Sequence, residues 1–260
     1  MRSDAVRVIV TRPAAQARSW VDALKALGVD AQALPLIDIA PADDPAPLQQ
    51  AWQLLPGLSL VMFVSANAVE CFFAAQPGDA VWPDGLPAGS TGPGTTAALK
   101  THGVRLIEAP AADAPQFDSE ALWARLATQG WAGRRVLVVR GEEGRDWLAD
   151  TLRSHGAELS FVAAYRRLAP QPDAAGQALL DEAVAHPEQH LWVFSSSEAV
   201  GHLRTLALGV DWSMARALAS HPRIVQAAQA LGFGRVDRVP SEPQAVAAWL
   251  ASGAGAASAP

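Results

Sequence analysis

The sequence predicts an α/β protein built from doubly wound parallel sheets. Three observations carry that reading. Short β-branched runs alternate with stretches of helical apolar spacing, the helices begin or end on characteristic turn residues, and the whole order recurs about 130 residues further along.

The run VRVIV (6–10) is apolar nearly throughout, as a strand covered on both faces of a parallel sheet requires. After the turn TRP (11–13), residues 15–28 (AQARSWVDALKALG) place apolar side chains at helical spacing and stop on Gly28, the residue type that closes a helix. A Pro-rich stretch, IAPADDPAP (39–47), then breaks the periodicity. LSLVMF (58–63) is the next buried strand and SANAVECFFAA (65–75) the helix that it feeds. PAGST (87–91) is a poor strand sequence, a further helix follows GPG (92–94), and another covers 119–129.

The second half repeats this order. RVLVV (135–139), GRDWLADTLRSHG (144–156), the Pro-rich LAPQPD (168–173), LWVF (191–194), SSEAVGHLRTLA (196–207), a helix after HPR (221–223) and a last helix at 243–251 follow in turn. Aligned, Arg12 falls on Arg140, Leu24 on Leu152, Gly28 on Gly156, FVSANAV (63–69) on FSSSEAV (194–200), Pro93 on Pro222 and Gly103 on Gly232. Strand-helix alternation with short turns implies flavodoxin-like, doubly wound sheets. The two Pro-rich stretches sit at matching places. If both are crossings, residues 1–38 with 170–252 form one domain and 42–167 an inserted second. A sequential split near residue 134 fits the repeat equally well.

Composition narrows the function classes. Half of the 260 residues are hydrophobic and only 18% are charged, so a well-buried core is expected. The net charge of −6 gives no general attraction to nucleic acid or to an anionic membrane. The opening MRSDAVRVIVTRP has too short an apolar run for a signal peptide, and no stretch approaches a membrane span. A single cysteine, Cys71, excludes an internal disulfide and a cysteine-based zinc cluster. Pro187 interrupts the spacing of His186 and His190, which have no third ligand nearby, so no metal is expected. These features read as a cytoplasmic protein, and nothing in them demands more than a monomer.

Ligands of open parallel sheets sit beyond the carboxyl ends of the strands, over helix N-termini. The notable turns lie there: Arg12 in TRP; Ser65, Ala66 and Asn67; Gly92, Gly94 and Thr95; Arg140 and Gly141 in RGEEGR; Ser195, Ser196 and Ser197; and His221 with Arg223. Small residues and outward N–H groups favour a carboxylate-rich ligand. The serines can equally be plain N-caps, worth about 1 kcal/mol each, and the recurring arginines can be structural. Tyr165, the only tyrosine, precedes the second crossing; its ring is either at the mouth of the site or a core residue with a satisfied hydroxyl.

Together VTRP, FVSANAV, TGPGTTAAL, VVRGEEGRDWLADTLRSHGA, AAYRR and FSSSEAV resemble the uroporphyrinogen-III synthase family over about residues 2–250, leaving residues 253–260 as a disordered tail. The resemblance implies two flavodoxin-like domains joined by a two-stranded linker, the second inserted in the first, with a cleft between them. It implies cyclisation of the linear octacarboxylate tetrapyrrole hydroxymethylbilane, with loss of water and inversion of the terminal pyrrole, and no cofactor. Tyr165 matches the family's cleft tyrosine and becomes the candidate to assist the departing hydroxyl. Ser65, Thr95 and Ser195 to Ser197 match cleft positions. One place departs from the pattern: where many members carry Gly-x-x-Thr in the second half, this chain has His221, Pro222, Arg223 and Ile224. The cation there reads as a replacement contact to an acetate or propionate group. A non-catalytic two-lobed binding protein is the competing reading.

Overall fold

A computed structural model describes residues 6–111, 114, 117–142 and 147–253. Residues 143–146 of the RGEEGR turn and all of the expected tail except Gly253 lie outside the described residues. The strands are β1 (Arg7–Val10), β2 (Ala31–Ala33), β3 (Asp38–Pro41), β4 (Leu60–Phe63), β5 (Ala88–Ser90), β6 (Ile107–Glu108), β7 (Arg135–Gly141), β8 (Glu158–Leu168), β9 (His190–Phe194), β10 (Arg216–Ala219) and β11 (Arg235–Arg238). The helices are α1 (Ala14–Ala26), α2 (Ala46–Leu54), α3 (Ala66–Ala74), α4 (Pro93–Thr101), α5 (Ser119–Leu126), α6 (Trp147–Ser154), α7 (Ala174–Ala185), α8 (Ser197–Leu206), α9 (Pro222–Leu231) and α10 (Pro243–Ala251).

Two compact units result. One holds the chain up to Asp38 and from Leu168 onward; the other holds Ile39–Arg167. The first unit's sheet runs β11-β10-β9-β1-β2 and the second's runs β3-β8-β7-β4-β5-β6. The five strands of the first sheet pair in parallel, as do β4 to β8 of the second, with Val10 opposite Val193 in the first and Phe63 opposite Val139 in the second. In repeat terms the two orders coincide apart from the added edge strand β3, because β1 corresponds to β7, β2 to β8 and β4–β6 to β9–β11. Each unit therefore combines the opening of one repeat with the close of the other.

The central strands bury themselves as their sequences dictate. All four residues of β4 and all five of β9 are buried, each large apolar side chain contributing about 1.5–3 kcal/mol. In the second unit Trp52, Phe63, Phe72, Phe73 and Trp82 pack ring on ring between sheet and helices. In the first, Trp192, Phe194, Trp212 and Phe233 form the matching cluster. The weak strand sequence PAGST does hold a strand, Ala88–Ser90, buried throughout. Its residues are small because Met62 fills the space beside it: a Cβ on Gly89 would run into the Met62 sulfur. Five strands have no counterpart in the sequence reading: β2, β3, the two-residue β6, β10 and the half-buried edge strand β11.

Candidate active site

The carboxyl ends of the parallel strands carry the expected turns, and their local chemistry follows from helix starts. In the second unit β4 runs into α3 through Ser65, whose extended backbone and hydroxyl form the N-cap: Oγ accepts from the Ala68 N–H at 3.1 Å. Ala66 and Asn67 then present the first turn of α3, half-buried. Ser65 Oγ also lies 3.0 Å from the Tyr165 hydroxyl on β8. Tyr165 is a core side chain, 1% exposed, and not a ring standing at an open mouth. Gly141 at the end of β7 makes room for it, since a Cβ there would lie 3.1 Å from the ring carbons. Ser65, Gly141 and Tyr165 thus form one group, with only the serine reaching solvent.

The neighbouring turn belongs to α4. Gly92 is its N-cap residue with extended backbone, and Gly94 lies in open space on the first turn. Thr95 is buried at 6% exposure. The adjacent Thr96 hydroxyl is 2.8 Å from Ser90 Oγ, and Thr91 Oγ1 donates to the Val64 carbonyl at 3.2 Å, tying this turn to the end of β4. Arg140, one residue before Gly141, lays its guanidinium over the Phe161 ring at 4.9 Å.

The first unit arranges its strand ends differently. Arg12, after β1, stacks on the Trp20 ring of α1 at 4.3 Å. Its Nη1 donates to Gln16 Oε1 at 3.2 Å and its Nη2 to Ser241 Oγ at 2.5 Å, while Nε is buried with no hydrogen-bond partner. Burial lowers the pKa of Arg12 to about 10. Arg12, Trp20, Ser195, Ser220 and Ser241 border a recess of about 10 Å³ over the ends of β1, β9, β10 and β11. Ser196, not Ser195, caps α8, accepting from Glu198 N–H at 3.2 Å; Ser197 is the first helical residue and is exposed. His221 caps α9 through Nδ1, which accepts from the Arg223 N–H at 3.2 Å, and the Arg223 side chain is exposed.

The structure therefore brings Ser65 together with Tyr165 and Gly141, and Arg12 together with Ser195. It leaves Arg140 on Phe161, and Arg223 beside its own cap. Sequence reasoning missed Trp20, Gln16, Ser220 and Ser241 around Arg12. Ser220 and Ser241 each lie one residue before the N-caps of α9 and α10, His221 and Glu242, so a search for caps passes them over. His190, buried at the start of β9, has its Nδ1 on the His186 carbonyl at 2.9 Å. Among the described residues no group of three or more potential ligands could hold a metal ion. Cys71 is half-buried on α3, its thiol pushed up by burial and by Glu70. Among the described residues no helix is long and apolar enough to cross a membrane.

Residues 18–249 match the family described as Uroporphyrinogen-III synthase HemD. The chain is 33% identical over 173 residues to the uroporphyrinogen-III synthase of Salmonella typhimurium, covering 66% of this chain and 69% of that one. It is 31% identical over 219 residues to the enzyme of the same name from Synechococcus elongatus, covering 79% and 77%. Among solved structures it shares the fold of the uroporphyrinogen-III synthetase from Helicobacter pylori (TM-score 0.57, 14% identity, 95% of this chain and 98% of that one). It also shares that of a mutant synthase from Thermus thermophilus (TM-score 0.56, 17% identity, 95% and 98%).

Proposed function

The chain belongs to the uroporphyrinogen-III synthase family, and from that membership we propose that it converts hydroxymethylbilane to uroporphyrinogen III. The observation that carries this reading is the family match over nearly the whole chain, joined to relatives of that name at 31–33% identity. The reaction expels the terminal hydroxyl as water, leaving an azafulvene. The substituted carbon of the last pyrrole then attacks to form a spiro intermediate, which reopens and closes with that ring inverted. Its demands are departure of a hydroxyl, stabilisation of cationic character, and positioning, the last able to supply several kcal/mol.

The turns at the strand ends match those demands. Helix N-termini at Ala66 and Asn67, at Gly92 and Gly94, and after Ser196 and His221 offer N–H groups to carboxylates. Gly141 admits the Tyr165 ring, and Arg12, Arg140 and Arg223 supply positive charge. Tyr165 is too buried to meet a substrate directly in this geometry, so its role runs through Ser65. With the phenol donating to Ser65 Oγ, the serine's own proton is directed outward to the departing hydroxyl. Thr95, buried, contributes to the shape of its turn. Tyr165 is thus a positioning group for Ser65. The enzyme works as a cytoplasmic monomer without metal or organic cofactor, in keeping with a net charge of −6 and a single cysteine.

The test is direct. Purified protein is given freshly made hydroxymethylbilane, the product is oxidised, and the porphyrin isomers are separated. Type III isomer in proportion to enzyme supports the reading. Type I alone from folded protein, the product of uncatalysed closure, refutes it and moves the fold to the binding-protein role.

A further inference from the structure

The end of β1 holds a cation in the wall of a recess. The Arg12 guanidinium is fixed on three sides: Trp20 beneath it, Gln16 and Ser241 at its two terminal nitrogens. All of these partners are neutral. No carboxylate pairs with Arg12 among the described residues, and its Nε–H is buried without an acceptor. Taking a charge out of water costs several kcal/mol unless an opposite charge and full hydrogen bonding compensate. Unpaired polar groups of this kind call for an explanation in terms of function. Around the same spot Ser195, Ser220 and Ser241 present hydroxyl-bearing residues from the ends of β9, β10 and β11, and the recess between them has room for one oxygen-sized group. This edge lies next to the junction of β1 and β9, where the strand order reverses and where open parallel sheets take their ligands.

We propose that Arg12, with Ser195, Ser220, Ser241 and Trp20, forms a subsite for one carboxylate of the substrate, one oxygen entering the recess. This rests on the reading of the substrate as a polycarboxylate. The serines accept and donate as the ligand needs, the planar guanidinium supplies charge-assisted bonds, and Trp20 holds its plane. In the second unit the matching cation, Arg140, lies over Phe161.

Two measurements test it. In the first, the Nε–H signal of Arg12, assigned by its loss in Arg12→Lys, is followed by nitrogen-proton NMR as sodium acetate replaces sodium chloride at constant ionic strength. A saturable shift in the wild type is expected, weakened in Ser241→Ala; acetate having no more effect than chloride would overturn the subsite. In the second, Arg12→Lys is assayed with hydroxymethylbilane. An increase in KM of about tenfold or more with kcat within threefold is expected, because lysine keeps the charge but loses the planar fork. A saturable acetate shift with an unchanged KM would overturn assignment of that carboxylate to the substrate. Absence of type III product from wild-type protein would refute the proposed function, and the acetate titration would still decide whether the subsite exists.

Discussion

The two units solve one structural problem with different chemistry. Both place a switch point between the strands that open and close their repeats, β1 beside β9 and β7 beside β4. In the first unit this point carries a guanidinium on an indole and a recess edged by serines. In the second, Gly141 clears space for the Tyr165 ring, whose hydroxyl meets the capping serine of the next strand. Duplicated scaffolding has thus diverged into a charged edge and a hydroxyl edge. In the proposed reading the first binds a carboxylate and the second directs a proton. A scaffold of buried apolar strands tolerates this because strand ends can change residue type without disturbing the core.

The sharpest way to break this contrast is through the hydroxyl edge. Tyr165→Phe removes the group that orients Ser65, and kcat is expected to fall about tenfold with little change in KM. A full general acid is worth 10²–10⁴-fold, so a group acting through another should give less. Ser65→Ala removes the donor itself and a helix cap, and is expected to reduce kcat at least as far and to lower stability by about 1 kcal/mol. The double variant should be no slower than Ser65→Ala alone, since both changes interrupt one path. Additive losses, or complete inactivity of a folded Tyr165→Phe protein, would show that the phenol acts on the substrate itself.

Much of the contrast was legible in the sequence, and the remainder was not for physical reasons. The central strands β1, β4, β7 and β9 announce themselves because a strand covered on both faces must be apolar throughout. Ser65 and Ser196 are readable because a cap lies next to the helix that it serves. The strand at 88–90 was hidden by small residues whose size answers to Met62, a neighbour in space. The edge strand Arg235–Arg238 carries charges, because only a half-buried strand can. Arg12 and Ser195 are marked by their turns, but the recess that joins them is not. Parallel topology gathers its wall from residues 12, 20, 195, 220 and 241, and no spacing along the chain records that. The depth of Tyr165 was equally unreadable, since burial of a strand residue depends on which helices cover that face.

Stability separates the two edges with smaller effects of opposite sign. Gly141→Ala would press a methyl group to about 3.1 Å from the Tyr165 ring, and overpacking of this kind costs about 1 kcal/mol or more. A fall in Tm of about 2–4 °C is expected for a chain of this size. Arg12→Met should do the reverse at pH 7, leaving Tm unchanged or raising it by a few degrees. The sign follows from burial. Arg12 titrates at about 10 when folded, below the unfolded guanidinium, so the unfolded chain holds the proton more tightly. The destabilisation is present in full below about pH 10 and fades as pH rises from there toward the unfolded value. Melting curves of both variants at pH 7 check the pair; a lower Tm for Arg12→Met would mean that Arg12 is a structural tie.

The smallest expected effect concerns the α9 turn, with His221 and Arg223. His221 opens the α9 turn and caps the helix, through Nδ1 accepting from Arg223 N–H. The capping bond keeps the turn in shape, and it leaves the exposed Arg223 side chain outside the packing. An exposed cation attracts a carboxylate weakly, by about 0.2–1 kcal/mol in water. Arg223→Ala is therefore expected to raise KM about two- to fivefold, with kcat and Tm unchanged. Salt separates this contact from Arg12. Raising ionic strength to 0.5 M should erase the difference between Arg223→Ala and wild type, because screening acts strongly on exposed charges and far less on a partly buried one. The Arg12→Lys difference should persist under the same conditions. If both differences vanish together, the β1 edge is as open to solvent as the α9 turn, and the division of labour between a buried and an exposed cation fails.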